Sequence, residues 1–335
     1  MTTTDSTTET GPVDDERPRQ RRHRHKDTER GFSRGFRLIA TAAGILLLLV
    51  LAAVALFLLV RGWAALTASD AEMQARGGLP SGFTSLAQYV APLVFGTLLA
   101  ALLALVIATP VAVGIALFVS HYAPRRLAGA VGFVIDLLAA IPSVVFGLWG
   151  VQTLGPVIAP VWKWVAGALN LIPGLTVAYT PTGRALATTS VVLAIMILPI
   201  ITAVSREVFK QTPRLHEEAA LALGATRWEV VRTAVLPFGR SGVISAAMLG
   251  LGRALGETMA VLMILSPGLS MSFQIFGAGQ HTTIAANIAA NFPEASGLAV
   301  NTLIATGLAL FVITLAVNMA ARAIVARRKD FSGAN

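Results

Sequence analysis

Apolar runs of membrane-spanning length recur along this chain, and they constrain its fold before any other feature does. A hydrocarbon layer about 30 Å thick needs about 20 consecutive apolar residues in a helix. The runs 36–60, 90–119, 127–154, 184–208, 241–265 and 298–325 all reach that length. In lipid each backbone N–H and C=O must be satisfied inside the protein, so such runs are expected as helices. The composition agrees, since 55% of the 335 residues are hydrophobic and only 13% are charged, more apolar than an ordinary soluble domain. The expected fold class is an all-α polytopic membrane protein with about six transmembrane helices. Cysteine is absent, which excludes disulfides and Cys-based metal or redox sites. His23 and His25 sit in the basic N-terminal segment without acidic or cysteine company and the other histidines are isolated from one another, so no metal site is expected; no catalytic residue is expected either.

The formal charge of +9 is concentrated near the N-terminus, where Arg17, Arg19, Arg21, Arg22, Arg24, Lys26, Arg30, Arg34 and Arg37 crowd together. The segment 1–35 is Thr-rich and then Arg-rich, without apolar periodicity, and is expected to be a disordered basic tail. A basic block can signal nucleic acid. Here it directly precedes a long apolar run, where Lys and Arg attract anionic membrane lipid and fix topology, so no nucleic-acid partner is expected. Connections assigned inside hold Arg125 and Arg126, then Arg206, Lys210, Arg214, Arg227, Arg232 and Arg240, and finally Arg327, Arg328 and Lys329. Those assigned outside hold Arg61 and Arg76, then Lys163 and Arg184, while 266–297 has no Lys or Arg. Both termini are therefore expected in the cytoplasm. The divisions are a tail at 1–35, a first span and outside loop at 36–89, a core at 90–327 and a C-terminal tail at 328–335. The outside stretch after the third run, with Pro156, Pro160, Trp162, Trp164, Pro173 and Pro181, is expected as a short helix lying at the outer interface.

The one long inside connection, 212–237, carries helix punctuation. Thr212 is expected as N-cap with Pro213 in the first turn. The helix "RLHEEAALAL", which carries Glu217 and Glu218, stops at a left-handed Gly224. Thr226 and Glu229 then form a T-x-x-E capping box, and the second helix is expected to end at Pro237. Taken alone, such a hairpin serves equally well as a plain connector.

Within the apolar runs three charges stand out: Asp136 in the third, Arg253 and Glu257 in the fifth. At 1.5 Å per residue, Arg253 and Glu257 fall about 18 and 24 Å into their span. A charge at that depth costs about 3 kcal/mol or more, so it should face a bundle interior or a wet cavity. The simplest alternative is a self-satisfying i, i+4 ion pair. Against it, Arg before Glu is the less favourable order along a helix, and a buried pair needing nothing else can be replaced by apolar residues at little cost. Asp136 is a candidate partner for Arg253. Gly250, Gly252 and Gly256 are expected to admit a neighbouring helix or a counterpart subunit.

These stretches carry a family resemblance. "EAALALG" followed by "LP", that is Glu218, Ala219, Ala220, Gly224, Leu236 and Pro237, resembles the signature loop of ABC importer permeases. "LLAAIPSVVFGLWG", ending at Gly150, together with "AVSREVFKQTP" at 203–213 and "LGRALGETMAV" at 251–261, is similar to phosphate-specific permeases of the PstC-like kind; the sister PstA-like subunit carries the form "ARAAGETAP". The likeness spans roughly 96–325 and leaves the basic tail without a counterpart. It implies the type I (MetI-like) permease fold in a bacterial inner membrane, forming half of a heterodimeric pathway for phosphate. Implied partners are a PstA-like permease, two PstB-like ATP-binding subunits and an outer PstS-like phosphate-binding protein. Implied roles are ATPase coupling for Glu217, Glu218, Ala219, Ala220, Gly224 and Thr226, and translocation for Arg253, Glu257 and Asp136.

A phosphate-binding loop needs G-x-x-x-x-G-K-[ST], and none of Lys26, Lys163, Lys210 and Lys329 follows a glycine. ATP and Mg are therefore expected on partner chains, and no cofactor on this one. An anion cannot cross a low-dielectric barrier uncompensated, which suits the planar fork of Arg253 as a waypoint. Glu257, and Asp136 in the same manner, would keep that site weak enough for release. Two alternatives stay open: a permease for molybdate or sulfate, and a membrane signalling or scaffold protein.

Overall fold

The computed structural model describes residues 24–174 and 176–329. The chain divides into residues 1–56 and residues 57–335. The described part of the first unit is the beginning of α1 (Arg24–Thr67). That helix already starts within the basic segment and runs on into the first apolar stretch. Residues 1–23, most of the tail expected to be disordered, lie outside the described residues, as do residues 330–335 at the C-terminus. The second unit continues with α2 (Asp70–Ala75), α3 (Leu86–Leu117), α4 (Arg125–Ala139), α5 (Ser143–Trp149), α6 (Gly155–Leu169) and α7 (Leu186–Lys210). It closes with α8 (Arg214–Ala222), α9 (Arg227–Val230), α10 (Leu236–Leu255), α11 (Met259–Ile264), α12 (Ile284–Asn291) and α13 (Leu298–Lys329). Among the described residues there is no strand.

Among the described residues six helical stretches are long and apolar enough to cross a membrane: Gly35–Thr67, Leu86–Tyr122, Ser143–Leu169, Leu186–Lys210, Arg227–Leu255 and Leu298–Ala323. The number matches the sequence expectation, but two positions do not. The run 127–154 is not one helix, because α4 ends at Ala139 and Pro142 precedes α5. Proline lacks an N–H and disfavours helix at the residue before it, and α4 alone, at 15 residues or about 22 Å, is short for a crossing. The third span is instead Ser143–Leu169, which absorbs the segment expected to lie flat at the outer surface. Trp162 is accordingly a packing residue: its indole N–H donates to Thr188 Oγ1 at 2.8 Å, and its ring lies 5.1 Å from that of Phe276. The fifth span is likewise displaced toward the N-terminus and stops at Leu255 rather than at 265.

Proline explains the shift of the third span and the early start of the fifth. Three π-helical turns, Phe118–Tyr122, Gly150–Leu154 and Val231–Val235, each stop two residues before a proline, namely Pro124, Pro156 and Pro237. The proline ring collides with the carbonyl four residues back, and an i→i+5 turn widens the helix at that point. At Pro156 and Pro237 the helix continues through the widened turn. Pro237, expected to end the second short helix, thus lies in the first turn of α10.

The core of the second unit lies between α3, α7 and α10. Along α3, Ala100, Ala104, Ala108, Ala112 and Ala116 recur every fourth residue, and all are fully buried. One small side chain per turn on the same face lets backbones approach, which supplies dispersion contacts where lipid gives no hydrophobic drive. Leu193, Ile197 and Ile201 of α7 and Ala246 of α10 fill the opposite side. At one end of the bundle the connections following α6 and α11 are joined: Thr180 N–H donates to Phe276 O at 3.0 Å, and Ala187 N–H to Ile275 O at 2.9 Å. At the other end His121 meets Glu217 of α8 at 3.6 Å. Connections expected on the same side are therefore linked to each other.

Two glycines set the approach of α5 to α11. A Cβ on Gly147 would stand 2.9 Å from Ala260 Cα and 3.1 Å from Met263 Sδ, and one on Gly150 would stand 2.6 Å from Ile264 Cδ1. Overpacking of this kind costs about 1–3 kcal/mol. Gly147→Ala should lower stability by that amount in a denaturant titration of the purified protein. Gly114→Ala, where an added Cβ meets nothing within 4 Å, should raise it by about 0.5–1 kcal/mol through helix propensity.

Candidate functional site

The sequence placed Arg253 and Glu257 one turn apart on a single helix, and the structure separates them. Arg253 lies in the last turn of α10, which ends at Leu255 with Gly256 as C-cap at φ −93°, ψ 0°. Glu257 and Thr258 are outside helix, and α11 starts at Met259. Glycine is a poor helix former, and a β-branched threonine two residues on adds little to continuity. No ion pair within 4 Å joins Arg253 to Glu257 among the described residues. The Glu257 carboxylate turns forward instead, and its Oε1 accepts the Ala260 N–H at 3.2 Å in the first turn of α11. Each charge therefore stands at the helix end that favours its sign: the cation beside the free carbonyls of α10, the anion beside the free N–H groups of α11. The Arg-before-Glu order is unfavourable only if the helix is continuous.

Burial differs across the break. Glu257 is 9% exposed, whereas Arg253 is open in the isolated chain. Gly250 packs inward, where a Cβ would stand 2.8 Å from Ile201 Cδ1, while Gly252 has nothing within 4 Å and Gly256 only the Gly252 carbonyl at 3.7 Å. Leu249, Gly252, Arg253 and Gly256 thus form an uncovered face around the only guanidinium of α10 beyond its first turns. Two of the stretches that carried the family resemblance also meet here, because α5 and its following turn pack directly on α11.

Asp136 does not join them. It lies on α4, outside every spanning helix, exposed in a cleft it shares with Arg206 and Lys210 near the end of α7. The expectation of an intramembrane partner for Arg253 is corrected accordingly, and the cause is Pro142, which ends the run that Asp136 was counted in.

The 212–237 connection is a helical hairpin. Pro213, not Thr212, occupies the N-cap of α8, and the Thr212 hydroxyl is buried without a partner. Gly224 has φ +84°; Ala225 N–H donates to Ala220 O at 3.2 Å and Gly224 N–H to Leu221 O at 2.9 Å, the paired bonds of a Schellman stop. Thr226 and Glu229 form the expected capping box, with Thr226 N–H donating to Glu229 Oε2 at 2.7 Å. No residue of α8 is buried, so Glu218 and Ala219 are exposed and Ala220 half-buried. Besides packing on α9 and the turn that follows it, α8 is tied to α3 by Glu217, paired with His121, whose Nδ1 lies 2.7 Å from Ser120 Oγ. The sequence offered no signal for His121: the pair joins segments far apart in the chain, through the π-helical turn at the end of α3.

If Arg253 and Glu257 are not an ion pair, their substitutions should add. In a double-mutant cycle of Arg253→Gln and Glu257→Gln, read by denaturant unfolding, the coupling should stay within about 0.5 kcal/mol. A direct intramembrane pair should instead give several times that value.

Comparison with known proteins fits this arrangement. Residues 108–330 match the family described as binding-protein-dependent transport system inner membrane component. The chain is 48% identical over 295 residues to "Phosphate transport system permease protein PstC 2" of Mycobacterium tuberculosis, covering 86% of this chain and 90% of that protein. It is 38% identical over 306 residues to "Phosphate transport system permease protein PstC" of Mesorhizobium japonicum, covering 89% and 91%. Its fold is shared with a chain in the crystal structure of a bacterial ABC transporter that imports the acidic polysaccharide alginate, at a TM-score of 0.60, 17% identity and coverage of 90% of this chain and 98% of that one. This chain is a member of the binding-protein-dependent transport system inner membrane component family.

Proposed function

We propose that this chain is one of two permease subunits of an ATP-driven inorganic phosphate importer in the bacterial inner membrane. The observation that carries the proposal is the uncovered guanidinium at the helix break, in a chain whose relatives are named phosphate permeases over nearly their whole length. A cation within a span must be kept from lipid. The face around Arg253, with Gly252 and Gly256 beside it, is suited to a second, PstA-like permease and a watery pathway between the two. Phosphate near neutral pH is a mono- or dianion, and the fork of Arg253 can take two of its oxygens. Glu257, held at the start of α11, adds a fixed negative charge near the same point. That charge repels the anion and keeps the waypoint shallow, as conduction through a site requires.

Energy enters from outside the chain. The exposed helix α8, with Glu217, Glu218, Ala219, Ala220, Gly224 and Thr226 in or beside it, is the surface offered to PstB-like subunits, which bind ATP and Mg and hydrolyse the nucleotide. Their closure moves α8, and through Glu217 and His121 the end of α3, so that the pathway opens alternately to the cytoplasm and to a PstS-like binding protein. Both termini and α8 are cytoplasmic in this scheme, in keeping with the excess of Lys and Arg on that side.

The test is uptake of radiolabelled phosphate into vesicles that hold the chain with its partners. Uptake should need ATP and resist excess sulfate or molybdate, and Arg253→Gln should lower it about 10- to 100-fold, the value of one hydrogen-bonded charge, with assembly intact. Competition by sulfate or molybdate would assign a different oxyanion. ATP-dependent uptake unchanged in the assembled variant would remove Arg253 from the pathway.

A further inference from the structure

We infer that the cleft between α4 and the end of α7 binds the headgroup of an anionic phospholipid. The cleft encloses about 490 Å³ and is lined by Val119, Gly129, Phe133, Asp136, Arg206 and Lys210 among others. Its position fits a headgroup, because α7 is a 25-residue spanning helix of about 37 Å, which places Arg206 and Lys210 in its last turns where hydrocarbon gives way to water. Arg206 is held there by the floor of the cleft: its Nη1 occupies the place a Cβ on Gly132 would take. Its Nε is buried without an acceptor, and no carboxylate lies within 4 Å of the guanidinium among the described residues. Arg206 lines the cleft, so the guanidinium nitrogens that face it, rather than the buried Nε, can take a phosphate oxygen.

Two further features select a lipid over a free anion. Phe133, at 69% exposure, lines the cleft, and α4, which forms one wall, also exposes Leu137 at 57% and Val134 at 51%, an apolar surface that suits acyl chains alongside a bound headgroup. Asp136 on the cleft wall, and the Glu207 carboxylate 3.8 Å from Lys210 Nζ, oppose a bare dianion. Asp136 can instead accept hydroxyls of a glycerol headgroup attached through a singly charged phosphodiester. Basic pockets beside spanning helices recognise anionic lipids by this chemistry.

The assembled transporter, stripped of lipid in detergent, is titrated with dioleoylphosphatidylglycerol or dioleoylphosphatidylcholine, and retained lipid is counted by native mass spectrometry. The phosphatidylglycerol adduct should dominate, and Arg206→Gln and Lys210→Gln should each weaken it about fivefold, the share of one basic residue near an anionic surface. Lys163→Gln, in another span, should leave it unchanged. If Arg206→Gln fails to assemble, the exposed Lys210 decides. Equal retention of phosphatidylcholine, retention indifferent to Lys210→Gln, or displacement of the lipid by millimolar inorganic phosphate would each overturn the assignment.

Discussion

The interruption of the fifth span at Gly256, Glu257 and Thr258 is the constraint on which the rest depends. A continuous helix would bring Arg253 and Glu257 together on one face and let them cancel. The break assigns each charge to a different helix terminus, where the ends of the backbone stabilise it with the sign it carries. The glutamate is satisfied by the Ala260 N–H and buried, and the arginine is left with its fork uncommitted. An uncommitted guanidinium within a span has a high free energy unless something polar reaches it. That requirement is what the proposed wet interface with a second permease would meet at the uncovered face of α10. Interrupted helices with charged or polar termini near the bilayer midplane are the recurring means by which transport proteins make such sites.

The surrounding structure keeps that break in place. Gly147 and Gly150 allow α5 to press on α11, and the widened turn before Pro156 carries α5 into α6 without ending the helix. On the opposite side, α10 is buttressed by α7 and the alanine ladder of α3. At the far end of α10 a second widened turn joins the short helix α9 to the span, so the capped hairpin and the helix bearing Arg253 are parts of one rod from Arg227 to Leu255. In the proposed scheme a displacement of the hairpin would reach the arginine through this continuous helix, and α3 through the His121 contact.

Much of this was legible in the amino-acid order. The number of spans, the Gly224 stop and the Thr226 to Glu229 box depend on local chemistry, and for these the local signals were sufficient. The errors in the third span and in the start of the fifth share one cause, which is that proline has two outcomes in an apolar helix. At Pro142 it ended a helix and left Asp136 on the short helix α4, apart from the spanning stretches; at Pro156 and Pro237 it only widened one. The choice depends on whether neighbouring helices supply packing for the continued rod, and that information is not local. The i, i+4 reading of Arg253 and Glu257 failed for a related reason, since "GET" resembles a helix interior by spacing alone, while the side chain of Glu257 gains more by capping α11. The Glu217 to His121 pair and the Arg206 cleft are long-range contacts that no single stretch of sequence announces.

The chain has no cysteine, so one can be introduced without background to ask what covers the face around the break. Gly252→Cys and Gly256→Cys in the assembled transporter would be treated with a charged, membrane-impermeant methanethiosulfonate and, separately, with a lipid-soluble maleimide, with Leu255→Cys as the buried reference. An aqueous pathway at Arg253 requires that the charged reagent modify positions 252 and 256, that phosphate slow the reaction, and that 255 stay unreactive. Modification of 252 and 256 by the lipid-soluble reagent alone would place this face in hydrocarbon and contradict the account.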